Sequence, residues 1–445
     1  MSGSVTLDVI RGKLKGKSIA FDKRTVCVIG RALDCNVILP SDDAHITISR
    51  YHCLLDINPP SVRVRDFGSR NGTFVNGVNI GQRRTKPRPP TIGESLFPQH
   101  DLRDGDELAL GDTVFRISTS AAGVEDAAAQ EAEESTRGAA AEAVRDEPDP
   151  VEAGVIGDYD LLEQLGDGAV GKVFLAQRRS SGEQVALKIL RPRVPVEAWA
   201  RKVFLREVKS AEILSHRNIL AVRDSGFAGE RHPLFYFTFE YCPLGNVVDR
   251  LRRAGGRLPL AEALGIVLEV LDGLDHAHNV ESSVTDPVDG SVRAVRGIVH
   301  RDLRPASIYL AGEDGRAIAK VGDFGLAKAF DLAGLGGLSA TGAGGTPLYM
   351  PRQQILDFGY AEPEVDVWAT AATFYRMLTG TTPRTFSREL DPWLVALQSA
   401  PVPIRSRDPS IPRPLAKVID TALIDRPEIP YKTARELRQA IEEAL

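Results

Sequence analysis

The segment Leu165-Gly166-Asp167-Gly168-Ala169-Val170-Gly171-Lys172-Val173 spaces its glycines G-x-G-x-x-G between two strand-like runs. Such a loop lets backbone N–H groups close over phosphate oxygens, but dinucleotide-binding folds use the same spacing. The residues after the third glycine separate the two. In a dinucleotide fold that glycine opens a helix, whereas here Val173-Phe174-Leu175-Ala176-Gln177 continues as a strand. Val185-Ala186-Leu187-Lys188 then reads as a buried strand ending in a lysine. A lysine after apolar residues commonly snorkels to the surface, but the distance of Lys188 from the glycine loop argues for a phosphate contact. A helical pattern next places Val203, Glu207, Ser210 and Leu214 on one face. Glu207 therefore points with core-facing residues, which is costly for a carboxylate that finds no cation. Lys188 is its predicted partner. Phe237-Thr238-Phe239-Glu240-Tyr241-Cys242 is an apolar strand whose end, at Glu240 and Cys242, can lend backbone groups to adenine.

The strongest signals lie further along the chain. His300-Arg301-Asp302-Leu303-Arg304-Pro305 precedes Asp323-Phe324-Gly325, then Gly345-Thr346-Pro347-Leu348-Tyr349-Met350 and Asp366-Val367-Trp368. One such match arises by chance; all of them in this order do not. Together they resemble the eukaryotic-like protein kinase family over residues 157–445. The resemblance implies an α+β bilobal kinase fold, ATP with Mg²⁺ or Mn²⁺ as cofactors, and protein Ser/Thr side chains as substrates. It assigns Asp302 to accept the substrate hydroxyl proton and Asp323 to bind metal. Gly166, Gly168, Gly171, Val173, Lys188, Glu207, Glu240 and Cys242 would line the nucleotide site. Arg304 stands where Ser/Thr kinases usually carry lysine, keeping a positive charge near the γ-phosphate as a planar fork. Arg301 before the catalytic aspartate implies control by activation-loop phosphorylation. Ser339, Thr341 and Thr346 are the candidate sites, with Thr346 favoured as a structural contact to Asp302.

Departures from the family pattern bear on competence. Ser307 occupies the place of the catalytic-loop asparagine that binds the second metal ion, and its oxygen has a shorter reach. That loss is worth about 1.4–4 kcal/mol, roughly ten- to a thousand-fold in rate. Val170 replaces the usual aromatic at the glycine-loop tip. Pro351-Arg352-Gln353 stands where Ala-Pro-Glu is expected, and Pro430 takes the position of the arginine that usually pairs with that glutamate. Both partners are then lost together, leaving no uncompensated buried charge there. Glu281 to Arg296 interrupts the approach to His300 and, with its Pro, Gly, Asp and Ser, reads as a surface hairpin or loop.

A second constellation lies near the N-terminus: Gly30-Arg31, Ser49-Arg50-Tyr51-His52, and Ser69-Arg70-Asn71-Gly72-Thr73 leading to Asn76-Gly77. Each cluster ends a predicted strand, and a phosphate dianion needs several converging donors, charge-assisted ones being strongest. Any single cluster reads as a hairpin turn with surface arginines. Their order and spacing, with Leu102-Arg103-Asp104-Gly105-Asp106-Glu107-Leu108 and Val114-Phe115, resemble the forkhead-associated (FHA) domain over residues 5–119. The resemblance implies that Arg31 and Ser49 hold a phosphothreonine phosphate, while Arg50, Arg70 and Asn71 contact phosphate or peptide backbone. His52 and Asn76 are expected to brace loops. Residues 82–100 depart from the pattern and read as a tolerated insertion.

Composition and patterning indicate the scaffold that holds these groups. At 445 residues, 43% hydrophobic and 26% charged, the chain has length for two or three domains of ordinary globular type. Short strands separated by Gly, Asp, Asn and Pro up to Thr119 predict an all-β sandwich. Residues 120–156 are Ala/Glu-rich and acidic, reading as a flexible linker with a marginal helix through 127–134 as the rival. A sheet lobe and then a helical lobe come next. A net charge of −5 gives no general basic signal for nucleic acid. No apolar run of membrane-spanning length is present, and Cys27, Cys35, Cys53 and Cys242 lack metal or redox spacing, so a cytoplasmic protein with reduced thiols is expected.

Two functions compete on this reading. One is a Ser/Thr kinase whose FHA domain docks phosphothreonine proteins or the chain's own phosphorylated segments, such as those around Thr136 or Thr341. The other is a pseudokinase scaffold, resting chiefly on Ser307. Retention of Lys188, Glu207, Asp302 and Asp323 favours the enzyme. A linker of about 35 residues spans ~30–35 Å as a coil and holds tethered partners at millimolar effective concentration.

Overall fold

The computed structural model describes residues 3–23, 25–39, 48–82, 99–120, 151, 154–168, 171–190, 208–209, 211–228, 234–285, 292–313, 316–324, 347–356, 362–387 and 390–445. They fall in two compact units, Met1–Ala153 and Gly154–Leu445.

In the first unit, strand β1 (Ser4–Arg11) turns Val5, Leu7 and Val9 inward and polar residues outward, the period of two that a half-buried strand requires. The same alternation buries Val62, Val64 and Asp66 of β6 (Ser61–Asp66). The other strands are β2 (Ser18–Phe21), β3 (Thr25–Gly30), β4 (Val37–Ile38), β5 (Cys53–Asn58), β7 (Thr73–Val75), β8 (Val78–Gly81), β9 (Gln99–Leu102), β10 (Glu107–Leu110) and β11 (Thr113–Ser120). One sheet runs β2-β1-β11-β10-β7-β8 and the other β4-β3-β5-β6-β9. Val5, Leu7, Leu108 and Phe115 of the first meet Ile29, Leu55, Val62 and Val64 of the second in one apolar core, which makes the unit a sandwich. Ser4 pairs with Ser120, so the unit's first and last strands are neighbours. Gln99 and His100, expected in an insertion, belong instead to edge strand β9, which pairs with β6. Residues 83–98, and the alternative helix at 127–134, lie outside the described residues.

The second unit opens with the antiparallel sheet β12-β13-β14-β15-β17-β16. Its strands are β12 (Val155–Ile156), β13 (Tyr159–Gly168), β14 (Gly171–Arg178), β15 (Gln184–Leu190), β16 (Val222–Ala228) and β17 (Leu234–Glu240). β12 falls inside the expected linker; fully buried Ile156 draws it into the sheet beside Tyr159. The helical part contains α1 (Val247–Arg253), α2 (Leu260–His278), α3 (Arg352–Leu356), α4 (Glu364–Thr379), α5 (Pro392–Gln398), α6 (Arg413–Ala422) and α7 (Ala434–Glu443). α4 is buried on nearly every side, as its apolar sequence demands, and packs among α2, α6 and α7 in one core. α1 starts with a capping box: Asn246 accepts from Val248 and Asp249 N–H groups, and the Asp249 carboxylate returns to Asn246 N.

Two ribbons sit on this frame. β18 (Glu281–Thr285) and β19 (Val292–Arg296) form the hairpin expected before His300. β20 (Ile308–Glu313) pairs with β21 (Arg316–Val321). Alternation in β20 sends Ile308 and Leu310 into the helical core, whereas Tyr309 and Ala311 pack with Leu190, Phe237, Phe239 and Cys242 of the sheet side. The ribbon therefore lies at the junction of the two cores, directly between the His300 and Asp323 segments.

Candidate active site and phosphate-binding loops

One buried carboxylate organises the loop that carries Asp302. Asp366, near the start of α4, is 1% exposed. Its Oδ2 accepts from His278 Nε2 at 2.8 Å and from His300 N at 2.7 Å, and its Oδ1 from Arg301 N at 2.8 Å. Burial pushes this carboxyl up, but His278, His300 and the backbone donors outweigh it and hold its pKa below the usual range. Those bonds pin Arg301 in the left-handed region, φ 68°, a conformation costing a side-chain residue about 1–2 kcal/mol. His300 Nδ1 accepts from Asp302 N at 3.1 Å, so Nε2 carries the proton and donates to Gly322 O at 2.7 Å. The His300 ring packs edge-on against Phe324, centroids 4.9 Å apart. The catalytic-loop and Asp323 segments are thus fastened to each other and to α4.

The groups at the cleft are placed by that frame. Lys188 Nζ donates to Asp323 Oδ1 at 3.1 Å, and their side chains remain 21% and 22% exposed, so the pair faces an opening and not the core. Burial alone would raise the Asp323 carboxyl, yet the charge and hydrogen bond of Lys188 carry it below its ordinary value. Asp302 sits on the other side of the balance. Burial raises it, and the opposing pull of Arg304 and His300 falls short. Arg304 Nε lies 3.4 Å from Asp302 Oδ2. Gly166, Gly168, Gly171 and Val173 occupy the β13–β14 hairpin, with Val173 opposite Lys188 in β15. A Cβ on Gly171 would fall 1.9 Å from Ile189 O, so only glycine lets β14 pass that close. Glu240 ends β17 with its side chain on Lys320 Nζ, 3.1 Å away; buried Cys242 comes two residues later, its thiol pushed up to about 12 by burial. A lysine, an acceptor carboxylate and close-approach glycines converge here, a donor set that fits a nucleotide triphosphate and a divalent metal.

Ser307 is drawn into its own loop. Its Oγ accepts from Arg304 N at 3.0 Å and faces the carbonyls of Arg304 at 2.9 Å and Asp302 at 3.3 Å. Its one hydroxyl proton is thereby committed to backbone. Glu207, Gly325 and the candidate phosphosites Ser339, Thr341 and Thr346 lie outside the described residues.

In the sandwich, the predicted phosphate residues gather on loops tied to one another. Arg31 N donates to Ser49 O at 3.3 Å and Ala32 N to Arg50 O at 3.0 Å. A Cβ on Gly30 would fall 2.1 Å from Arg50 O, which explains the glycine. Arg31 Nε donates to Ile48 O at 2.8 Å, and Ser49 Oγ accepts from Arg70 N at 3.1 Å. Beneath them fully buried His52 accepts from Ser49 N at 3.2 Å and bonds Gly72 O at 3.0 Å; burial lowers its pKa, keeping it neutral. Asn76 bonds Asp106 and the Glu107 N–H. Arg31, Arg50, Arg70 and Asn71 are exposed at this rim and Ser49 is half-buried.

Family models match both units of the chain. Residues 159–421 match the protein kinase domain. The chain belongs to the protein kinase family. Residues 27–111 match the FHA domain, so the sandwich is an FHA domain preceding the kinase domain. The serine/threonine-protein kinase Pkn1 of Myxococcus xanthus is 32% identical over 303 residues, 67% of this chain and 40% of that protein. PrkC of Bacillus subtilis is 28% identical over 290 residues, 65% of this chain and 41% of PrkC. The chain thus spans less than half the length of these relatives. Among solved structures, the kinase domain of Mycobacterium tuberculosis PknI aligns with a TM-score of 0.49 at 25% identity, over 66% of this chain and 98% of that one.

Within the kinase domain, a buried ion pair appears where none was expected. Gln353 Nε2 donates to Asp425 O at 3.0 Å, while the Asp425 carboxylate pairs with Arg384 and accepts from Arg352 N at 2.9 Å. Arg384, fully buried, also donates to Met350 O at 2.9 Å and stacks on Trp368 at 4.7 Å. The expected loss of the Gln353-position charge pair is accompanied by a different pair nearby. Arg384 and Asp425 carry no motif that announces them. The same holds for His278, distant in sequence from Asp366, and for Tyr309, which reads as one more apolar strand residue.

Proposed function

We propose that this protein is a serine/threonine kinase that transfers the γ-phosphoryl group of ATP, with Mg²⁺ or Mn²⁺, to protein hydroxyls, and that its FHA domain docks phosphothreonine peptides. The observation that carries the reading is the Lys188–Asp323 pair held across one cleft from Asp302 and Arg304 by the Asp366 network. Asp302 receives the substrate hydroxyl proton, and its raised pKa makes it a better proton acceptor than an ordinary aspartate. Arg304, beside it, presents positive charge where the transferred group becomes more exposed to the acceptor. Lys188 and the backbone of the Gly166–Gly171 hairpin grip the phosphates, with Gly168 and Val173 on the same hairpin and the chain at Glu240 and Cys242 meeting the base. Asp323 would hold the metal directly and Ser307, whose hydroxyl is turned into its own loop, only through a bridging water; the metal would supply neutralisation of phosphate charge. Glu207 is proposed to support Lys188.

On the FHA domain, Arg31 and Ser49 bind the phosphate, and Arg50, Arg70 and Asn71 hold the peptide. Phosphothreonine proteins are the partners, together with the chain's own segments around Thr136 and Thr341. An autophosphorylation assay with ATP and either metal tests the enzyme. Wild type is expected to incorporate phosphate, Asp302→Ala to lose it, and Ser307→Asn to exceed wild type. Silence in all three would leave a scaffold.

A further inference from the structure

Asp323 is the only acceptor Lys188 is seen to use among the described residues, and a second donor reaches the other oxygen of the same carboxylate. Lys188 Nζ takes Oδ1 at 3.1 Å; the Tyr309 hydroxyl donates to Oδ2 at 3.4 Å. Strand alternation places Tyr309 on the face of β20 that leaves the helical core and packs with Cys242, Phe237 and Phe239. The ring lies so close over Gly322 that a Cβ there would sit 2.7 and 2.8 Å from Tyr309 Cε2 and Cδ2. Gly322 is itself fixed by the His300 bond to its carbonyl. A bulkier residue before Asp323 would expel the ring, so the glycine and the tyrosine form one fitted pair. Asp323 is held in the left-handed region, φ 62°, with both its oxygens engaged.

We infer that Tyr309 is a positioning residue of the nucleotide cleft, whose hydroxyl occupies the Asp323 oxygen that a divalent cation must share or take, and so sets the metal requirement for nucleotide binding. This rests on the kinase reading of the cleft. The competition fixes the direction. A hydrogen bond to Oδ2 stabilises the metal-free carboxylate and withdraws electron density from it. Removing that bond favours the metal-bound state on both counts, while Lys188 still aims the carboxylate through Oδ1.

The test is a Mn²⁺ titration of the full chain, monitored by the electron paramagnetic resonance signal of free Mn²⁺, with and without adenosine 5′-(β,γ-imido)triphosphate. In Tyr309→Phe the half-saturating Mn²⁺ in the presence of the analogue is expected to fall about threefold to tenfold, the value of one net hydrogen bond. Affinity for the analogue without metal should stay within about twofold. Tyr309→Leu, which removes ring and hydroxyl, should show the same metal shift. Unchanged or weakened Mn²⁺ binding in both variants overturns the inference while leaving the kinase reading intact. Failure of both variants to fold would make Tyr309 a packing residue and overturn it equally. Wild type that binds no analogue at any Mn²⁺ concentration would overturn both readings together.

Discussion

Replacing Asp366 with asparagine probes the frame that holds the active site without changing its shape. The carboxylate serves three donors, His278 Nε2 and His300 N on Oδ2 and Arg301 N on Oδ1. An asparagine oxygen can take the Oδ2 position and keep two of them. Its amide then points an N–H at the Arg301 N–H, leaving a buried donor unsatisfied at a cost of about 1–3 kcal/mol. The two surviving bonds also lose charge assistance, so a total of about 2–4 kcal/mol is expected. For a domain of this size that corresponds to a fall in Tm of roughly 3–7 °C. Arg301 loses the bond that pins its left-handed backbone, so kcat should fall by at least about tenfold with KM for ATP little changed. Thermal melts with steady-state kinetics read both. The lowered pKa sets the sign of the pH dependence. The stabilisation is present above the unfolded aspartate value near about 3.9 and is lost as pH falls through the folded value. The acid-side loss of stability should therefore be shallower in the asparagine variant. A variant melting within about 1 °C of wild type, with unchanged kcat, would refute this reasoning.

Three further outcomes are expected. Arg304→Gln removes the largest influence lowering the Asp302 pKa, so the acid limb of kcat/KM should move to higher pH; a limb that stays or moves down contradicts the assignment. Arg384→Met strands Asp425 in the interior and should cost about 3–5 kcal/mol by urea denaturation, whereas Arg384→Met with Asp425→Asn, which removes the stranded charge but keeps an acceptor for the Arg352 N–H, should recover part of that loss. On the FHA domain, calorimetric titration with a phosphothreonine peptide should show Ser49→Ala weakened about tenfold and Arg31→Ala more, from loss of charge-assisted bonds. Equal affinity for the unphosphorylated peptide would contradict the phosphate assignment.

What is legible along the chain is local. The His300–Pro305 and Asp323–Phe324 segments are single turns whose residues act together, so their order along the chain exposes the site. The sandwich is readable for a similar reason: strands such as β1 and β6 alternate cleanly, and Gly30 and Gly72 mark the bends that bring the loops together. The partners that fix these turns are another matter. His278 reaches Asp366 only because α2 and α4 pack side by side, and Arg384 meets Asp425 through the same helical core. Tyr309 stays hidden because a period of two tells which residues share a face but not which of two cores that face meets. β12 escapes notice because two apolar residues after an acidic stretch carry too little signal, and only the register with β13 makes them a strand.

Asp323 and Lys188 are proposed to grip metal and phosphate in the cleft that Asp302 faces. Crystals of the full chain grown with adenosine 5′-(β,γ-imido)triphosphate and Mn²⁺ would show this through the anomalous scattering of the metal. A Mn²⁺ peak within bonding distance of an Asp323 carboxylate oxygen is expected, with Lys188 on the phosphates. A peak elsewhere, or a nucleotide bound away from both residues, would contradict this assignment.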